Sequence, residues 1–269
     1  MFPYIPLGDW LLLDSWRVMI TVGILGGSLV SFFLLQGEIG RFRAGLLVAS
    51  MVLGALFGAH LAHWVLHPGL SGWDLSGILV FWKDGHSLLG ALAFCALLLL
   101  TISRIVPHIF FWPTADAFSL GAPVGLFFAR IGCYMKGCCW GTPIGEGHPF
   151  HGLSVKLVRN SLLTLHPVQL YSATAALAIF CILLALRRRS KTPGLLTVLF
   201  VLLYASARFL LEFFRGDTPS LFAGLTLFQG VRILLLLAGS VLLFLRFRET
   251  RDVGSGVRAQ GSGTHAPLP

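Results

Sequence analysis

Between Arg130 and Trp140 the chain reads Arg-Ile-Gly-Cys-Tyr-Met-Lys-Gly-Cys-Cys-Trp, which places two cations and three thiols at the edge of an apolar run. A guanidinium offers forked, charge-assisted hydrogen bonds that suit a phosphate. A thiol gains reactivity once it ionises. A second set, Tyr204, Arg208, Glu212 and Arg215, is spaced 4, 4 and 3 apart and lines one face of a helix. His166, Gln169 and Tyr171 open a third apolar run, His86 opens another, and Gln229 with Arg232 begins the last. Polar groups from five runs thus converge on one depth, and a polar pocket accounts for them economically. Two plainer readings stand beside it. Arg130 snorkels from lipid to water, or Arg208 and Glu212 form an i,i+4 ion pair that only joins helices.

The elements that position these groups follow from composition. Of 269 residues, 56% are hydrophobic and 12% charged, against about 25% charged in soluble domains, and mean hydropathy is +0.83. The chain reads as an all-α integral membrane protein of about seven transmembrane helices, near 16–36, 42–66, 86–106, 115–131, 167–187, 193–214 and 225–245. No strand alternation competes. The fourth run is the weakest, being short and interrupted by Pro123. In a membrane an ionisable residue is costly without a partner, which makes Arg130, Arg208, Glu212 and Arg215 functional candidates.

Basic residues set the orientation. Arg41, Arg43, Arg104, Arg187 to Arg189, Lys191 and the arginines from Arg246 onward share one set of connections, which reads as cytoplasmic. The amino terminus then lies outside and the carboxy terminus in the cytoplasm. No basic segment precedes a cleavage site in Met1 to Trp10, so the first span itself is expected to target the chain. Residues 1–252 form one membrane domain, and residues 253–269, rich in Gly, Ser and Pro, read as a disordered tail. The net charge of +9 is mostly this inside bias, reinforced by anionic headgroups, and implies no nucleic acid.

Three motifs carry a family resemblance. His166-Pro167-Val168-Gln169-Leu170-Tyr171 resembles the His-Pro-x-Gln-Leu-Tyr-Glu motif of bacterial prolipoprotein diacylglyceryl transferases. Tyr204-x3-Arg208-Phe209-x2-Glu212-Phe213-x-Arg215 resembles their late arginine motif, and Arg130 to Gly141 resembles their Gly-Arg-x-Gly-Asn-Phe-x-Asn-Gly-Glu-x-Trp-Gly signature without a gap. Gln229 is similar to the Gly-Gln that opens the last family helix. The likeness runs from about Lys83 to Arg246. It implies transfer of a diacylglyceryl group from phosphatidylglycerol to a lipobox cysteine of a prolipoprotein, or a related acceptor, with release of glycerol phosphate. The setting is the outer face of the bacterial inner membrane, the site facing the periplasm or exterior. Arg130 and Arg208 would hold the phosphate as catalytic groups, with Tyr171, Gln169, His166, Tyr204, Glu212, Arg215 and Gln229 binding substrate. Neither metal nor other cofactor is implied.

The chain also departs from the family pattern. Leu89 stands where the family has a histidine, and His86, three residues earlier, is the expected substitute base from the same helical face. Cys133 and Lys136 replace asparagines, Cys138 and Ser172 replace glutamates, and Ala129 replaces a glycine. A non-catalytic phospholipid-binding relative and a transporter are the alternatives, the latter opposed by the one-sided polar residues. Cys95 and Cys181 read as packing residues. For Cys133, Cys138 and Cys139 an oxidising exterior predicts a disulfide from Cys133 to Cys138 or Cys139. The competing readings are a reactive thiolate and a zinc site with His148, His151 or His166, whose spacing matches no usual zinc pattern.

Overall fold

Lipid offers no hydrogen bonds, so an apolar chain crossing it must satisfy its own backbone, and the helix does this within one segment. A computed structural model describes residues 4–6, 12–66, 87–145, 147–151, 155–158, 161–189, 192–215 and 229–244. The helices are α1 (Ser15–Ile39), α2 (Arg41–Leu66), α3 (Leu88–Ile105), α4 (Phe111–Lys136), α5 (Val168–Arg189) and α6 (Leu195–Glu212). A further apolar helix, α7, covers Gln229–Phe244. Five of these, α1, α2, α4, α5 and α6, are long and apolar enough to cross a membrane, while α3 and α7 are shorter as apolar helices. The chain is thus a mainly helical integral membrane protein. Leu25, Leu29 and Phe33 on α1 are 59%, 54% and 62% exposed, an i, i+4, i+8 stripe of large apolar side chains whose solvent is lipid.

Two corrections to the sequence reading follow. The run around Pro123 is not short: α4 continues through the proline for 26 residues, although it is the least hydropathic of the five candidate spans. Membrane helices tolerate such a break because neighbouring groups re-satisfy the freed carbonyl. Two short antiparallel hairpins also occur, β1 (Tyr4–Pro6) with β2 (Leu12–Asp14) and β3 (Val155–Val158) with β4 (Ser161–Thr164). Strands of three or four residues are too short for period-two patterning to register.

The chain divides into two compact units, residues 24–121 and residues 1–23 with 122–269. In the first, Leu35, Leu47, Met51 and Leu99 form a buried core with Ala44 and Ile109. Helices α2 and α3 meet closely at Gly58 and Gly90. A methyl group on Gly58 would collide with the Phe94 Cβ and lie 2.8 Å from the Gly90 carbonyl oxygen. Small residues of this kind let membrane helices associate through backbone proximity, where the hydrophobic effect gives no drive. Ser87 caps α3 by accepting from the Gly90 N–H at 3.4 Å, and its own N–H donates to the Ala59 carbonyl at 3.0 Å.

In the second unit Asp14 caps α1, accepting from the Arg17 N–H at 3.1 Å, and pairs with Lys136 Nζ at 3.1 Å. Burial pushes its carboxyl up, but the Arg17 N–H and the Lys136 ammonium more than offset this and hold it below the usual range. Lys136, which replaces a family asparagine, therefore fastens the end of α4 to the start of α1. Residues 253–269 and Lys191 lie outside the described residues.

Overpacking the α2–α3 contact is expected to be costly. Gly58→Val should destabilise the detergent-solubilised protein by about 1–3 kcal/mol. Gly37→Ala, where nothing lies within 4 Å, should leave the thermal midpoint unchanged.

Candidate functional site

The site is built at one end of α4, α5 and α6, from residues of the second unit. A short strip after α4 threads between two other segments. The Gly141 N–H donates to the His166 carbonyl at 3.1 Å and the His166 N–H returns to the Thr142 carbonyl at 3.0 Å. On its other side the Thr142 N–H donates to the Phe214 carbonyl at 2.9 Å. Gly141 is needed here: a Cβ would come within 2.6 Å of both the His166 Cβ and the Phe214 oxygen. This strip fixes the end of α4, the start of α5 and the end of α6 against one another.

Beneath it lies a cleft lined by Arg130 and Leu126 from α4, Ser172 and Ala176 from α5, and Tyr204 and Arg208 from α6. The two arginines that sequence placed on separate runs thus share one cavity. Its volume is about 10 Å³, the room of a single water. Among the described residues neither guanidinium is paired with a carboxylate. The Ser172 Oγ is buried with no hydrogen-bond partner among the described residues, a residue that sequence comparison marked only as a replacement.

Tyr171 and Glu212, expected to line the same pocket, stand outside that lining. Tyr171 belongs to an aromatic cluster: its hydroxyl lies 3.3 Å from His166 Nδ1, and His166 in turn packs on His148 at 5.0 Å and on Phe214 at 5.3 Å between ring centroids. Burial and the neighbouring His148 push the His166 imidazole below its ordinary value, which favours its neutral form. Glu212 is 4% exposed and accepts from Arg232 Nη1 at 2.7 Å, while the same nitrogen donates to the Arg208 carbonyl at 3.1 Å. The i,i+4 pair of Arg208 with Glu212 is not made; Arg232 on α7, which sequence placed among the converging polar groups, is Glu212's partner.

Gln169 is buried and donates from Nε2 to the Cys138 carbonyl at 2.6 Å, so it holds the loop after α4 and lies outside the cleft lining. Arg215 is half-buried, bridges to Gly141 and acts electrostatically on Cys139 and Arg208. Gln229 is buried at the start of α7. His86 lies outside the described residues. Helix α3 starts at Leu88 after an extended Ser87. The expected disulfide is also absent: Cys133, Cys138 and Cys139 are free thiols, and Cys138 Sγ donates to the Cys133 carbonyl at 3.7 Å.

The helices and this cleft define a membrane protein with a cation-lined recess at one helix end. The family model for prolipoprotein diacylglyceryl transferase matches residues 10–245, and the chain belongs to that family. Among its relatives, the phosphatidylglycerol–prolipoprotein diacylglyceryl transferase of Methylocella silvestris is 32% identical over 226 residues, 78% of this chain and 79% of the relative. That of Tolumonas auensis is 30% identical, covering 76% of this chain and 79% of its own length. That of Nitrobacter hamburgensis is 27% identical, covering 86% and 70%. The resemblance carried by the three motifs is thereby borne out.

Removing Arg232 strands a buried carboxylate. Arg232→Ala is expected to destabilise by about 3–5 kcal/mol, the usual cost of breaking a buried pair. Adding Glu212→Gln should recover much of that loss in thermal unfolding.

Proposed function

We propose that the chain transfers a diacylglyceryl group from phosphatidylglycerol to the cysteine thiol of a prolipoprotein lipobox. The observation that carries this is the cleft itself, with two half-buried guanidinium groups and no neutralising carboxylate among the described residues. Uncompensated cations at membrane depth call for an anion. A lipid phosphate supplies one while its acyl chains stay in the bilayer. The orientation proposed has the amino terminus outside, seven spans and a cytoplasmic carboxy terminus in the bacterial inner membrane. Arg187, Arg188 and Arg189 close α5 at the end away from the cleft, which by the positive-inside tendency turns the cleft outward.

In the reaction the acceptor sulfur attacks the glycerol carbon that bears the phosphate. The new S–C bond replaces the C–O bond, and glycerol phosphate leaves carrying an additional negative charge on the departing oxygen. Arg130 and Arg208 stabilise that charge as it develops, which lowers the barrier more than it aids ground-state binding. Tyr204 and Ser172 offer hydroxyls in the same cleft. The cavity must widen to admit a headgroup. The thiol proton needs an acceptor, because the neutral thiol is a poor nucleophile. We assign this to His86, with His166, beside Tyr171, as second choice. Tyr171, Gln169, Glu212, Arg215 and Gln229 act on this reading by supporting the walls of the site.

Incubation of the purified protein with labelled phosphatidylglycerol and a lipobox peptide tests the reading directly. Arg208→Lys and Arg130→Lys should each lower kcat by about 10²–10³-fold, as expected when a preorganised donor to a developing oxyanion is lost. Lipid binding without any peptide modification in the wild type would instead identify a lipid-binding relative.

The base is tested separately. His86→Ala should abolish transfer while lipid binding stays nearly intact. Full activity in that variant, with loss in His166→Ala, would move the assignment to His166.

A further inference from the structure

The three thiols at the end of α4 line no part of the cleft, yet their sulfur atoms all lie within 4.8 Å of one another. Cys133 is in the last turn of α4 and is 8% exposed, and Cys138 and Cys139 are half-buried in the loop that follows. Sequence spacing alone hides this, since Cys-x4-Cys-Cys is not a usual ligand pattern. The fold assembles it with several contacts. The Cys138 N–H donates to the Cys133 carbonyl at 3.1 Å, folding the loop back over the helix end. Gln169 grips the Cys138 carbonyl from α5. The chain turns at Gly137 with φ 74°, and Cys139 itself has φ 58°. A non-glycine residue pays about 1–2 kcal/mol for that left-handed conformation. Here the conformation accompanies a third sulfur brought up to the other two.

A disulfide would use two of these sulfurs and leave the third unexplained. A metal ion uses all three. The surrounding charge also fits: the guanidinium groups of Arg130 and Arg215 act electrostatically on Cys139, and offset part of the negative charge that three thiolates around a divalent ion would carry.

We propose that Cys133, Cys138 and Cys139 form a three-thiolate binding site for a thiophilic cation of the zinc class. Zinc–sulfur bonds of about 2.3 Å in a tetrahedron set the sulfurs about 3.8 Å apart, so closure around the ion needs shifts of about 1 Å or less. Three protein ligands leave the fourth position open to water or to an external thiol, the arrangement of reactive zinc sites and not of closed structural ones. Soft thiolates select such ions over magnesium or calcium.

The test uses the full chain in detergent, reduced, stripped with chelator and titrated with Co²⁺ as the spectroscopic stand-in for zinc, in parallel with Cu⁺. The expected result is a saturable thiolate-to-metal charge-transfer band that Zn²⁺ abolishes by displacement. Cys133→Ser and Cys138→Ser should each weaken binding by more than about tenfold, the minimum loss when even an outer partner of a ligand is removed. Cys95→Ser and Cys181→Ser should bind as the wild type does. The proposal is overturned if the reduced wild type shows no such band, or if the band survives undiminished in Cys138→Ser. It is equally overturned if peptide mapping of unreduced protein from membranes finds Cys133 joined to Cys138 or Cys139. Because the wild-type titration and mapping decide by themselves, a serine variant that fails to fold does not shelter the idea.

Discussion

Uncompensated guanidinium charge at membrane depth is the constraint around which the second unit is organised. Arg130, Arg215 and Arg232 each act electrostatically on Arg208, and Arg232 is paired with Glu212. Such repulsion is poorly screened where water is scarce. The protein answers it unevenly. Arg232 receives Glu212 and also donates to the Arg208 carbonyl, which ties α7 to α6 and removes that cation from the balance. Arg130 and Arg208 are left facing the cleft. A fold that wanted only helix adhesion would pair Arg208 with Glu212 one turn away; here that carboxylate is used elsewhere, and Arg208 stays available to an external anion.

Holding two like charges in one recess requires a stiff frame, and backbone hydrogen bonds supply it. The strip from Gly141 to Ile144 is bonded to Thr164 and His166 on one side and to Phe214 on the other. Side-chain packing alone would let α4, α5 and α6 slide, since lipid tails are as apolar as the helices' own leucines. The His166, Tyr171 and Phe214 rings then cover the junction. These rings, with Gln169 bound to the Cys138 carbonyl, brace the junction, and neither Tyr171 nor Gln169 enters the cleft lining.

The long apolar helices were legible because twenty-residue apolar runs are a strong signal, five of the described helices being long and apolar enough to cross a membrane, and the i, i+4 spacing of Tyr204, Arg208 and Glu212 placed them along one helix. Their partners were not legible. Pairing of Glu212 with Arg232 depends on how α6 and α7 pack, and no local spacing encodes that. The expected base His86 lies outside the described residues; within them, Ser87 is extended and caps α3. The thiol cluster was not legible either. Its geometry rests on positive φ at Gly137 and Cys139, a backbone choice that residue types suggest only weakly at a non-glycine position.

The narrowness of the cleft connects these parts to turnover. On the proposed function, a recess with room for one water must widen to hold a phosphodiester and its glycerol, and a phosphate bound between Arg130 and Arg208 would offset the repulsion between their guanidinium groups. Closing around that anion would exclude water and strengthen each remaining electrostatic contact. On the same reading the leaving phosphate carries more charge than the diester did, and the two guanidinium groups hold it more tightly.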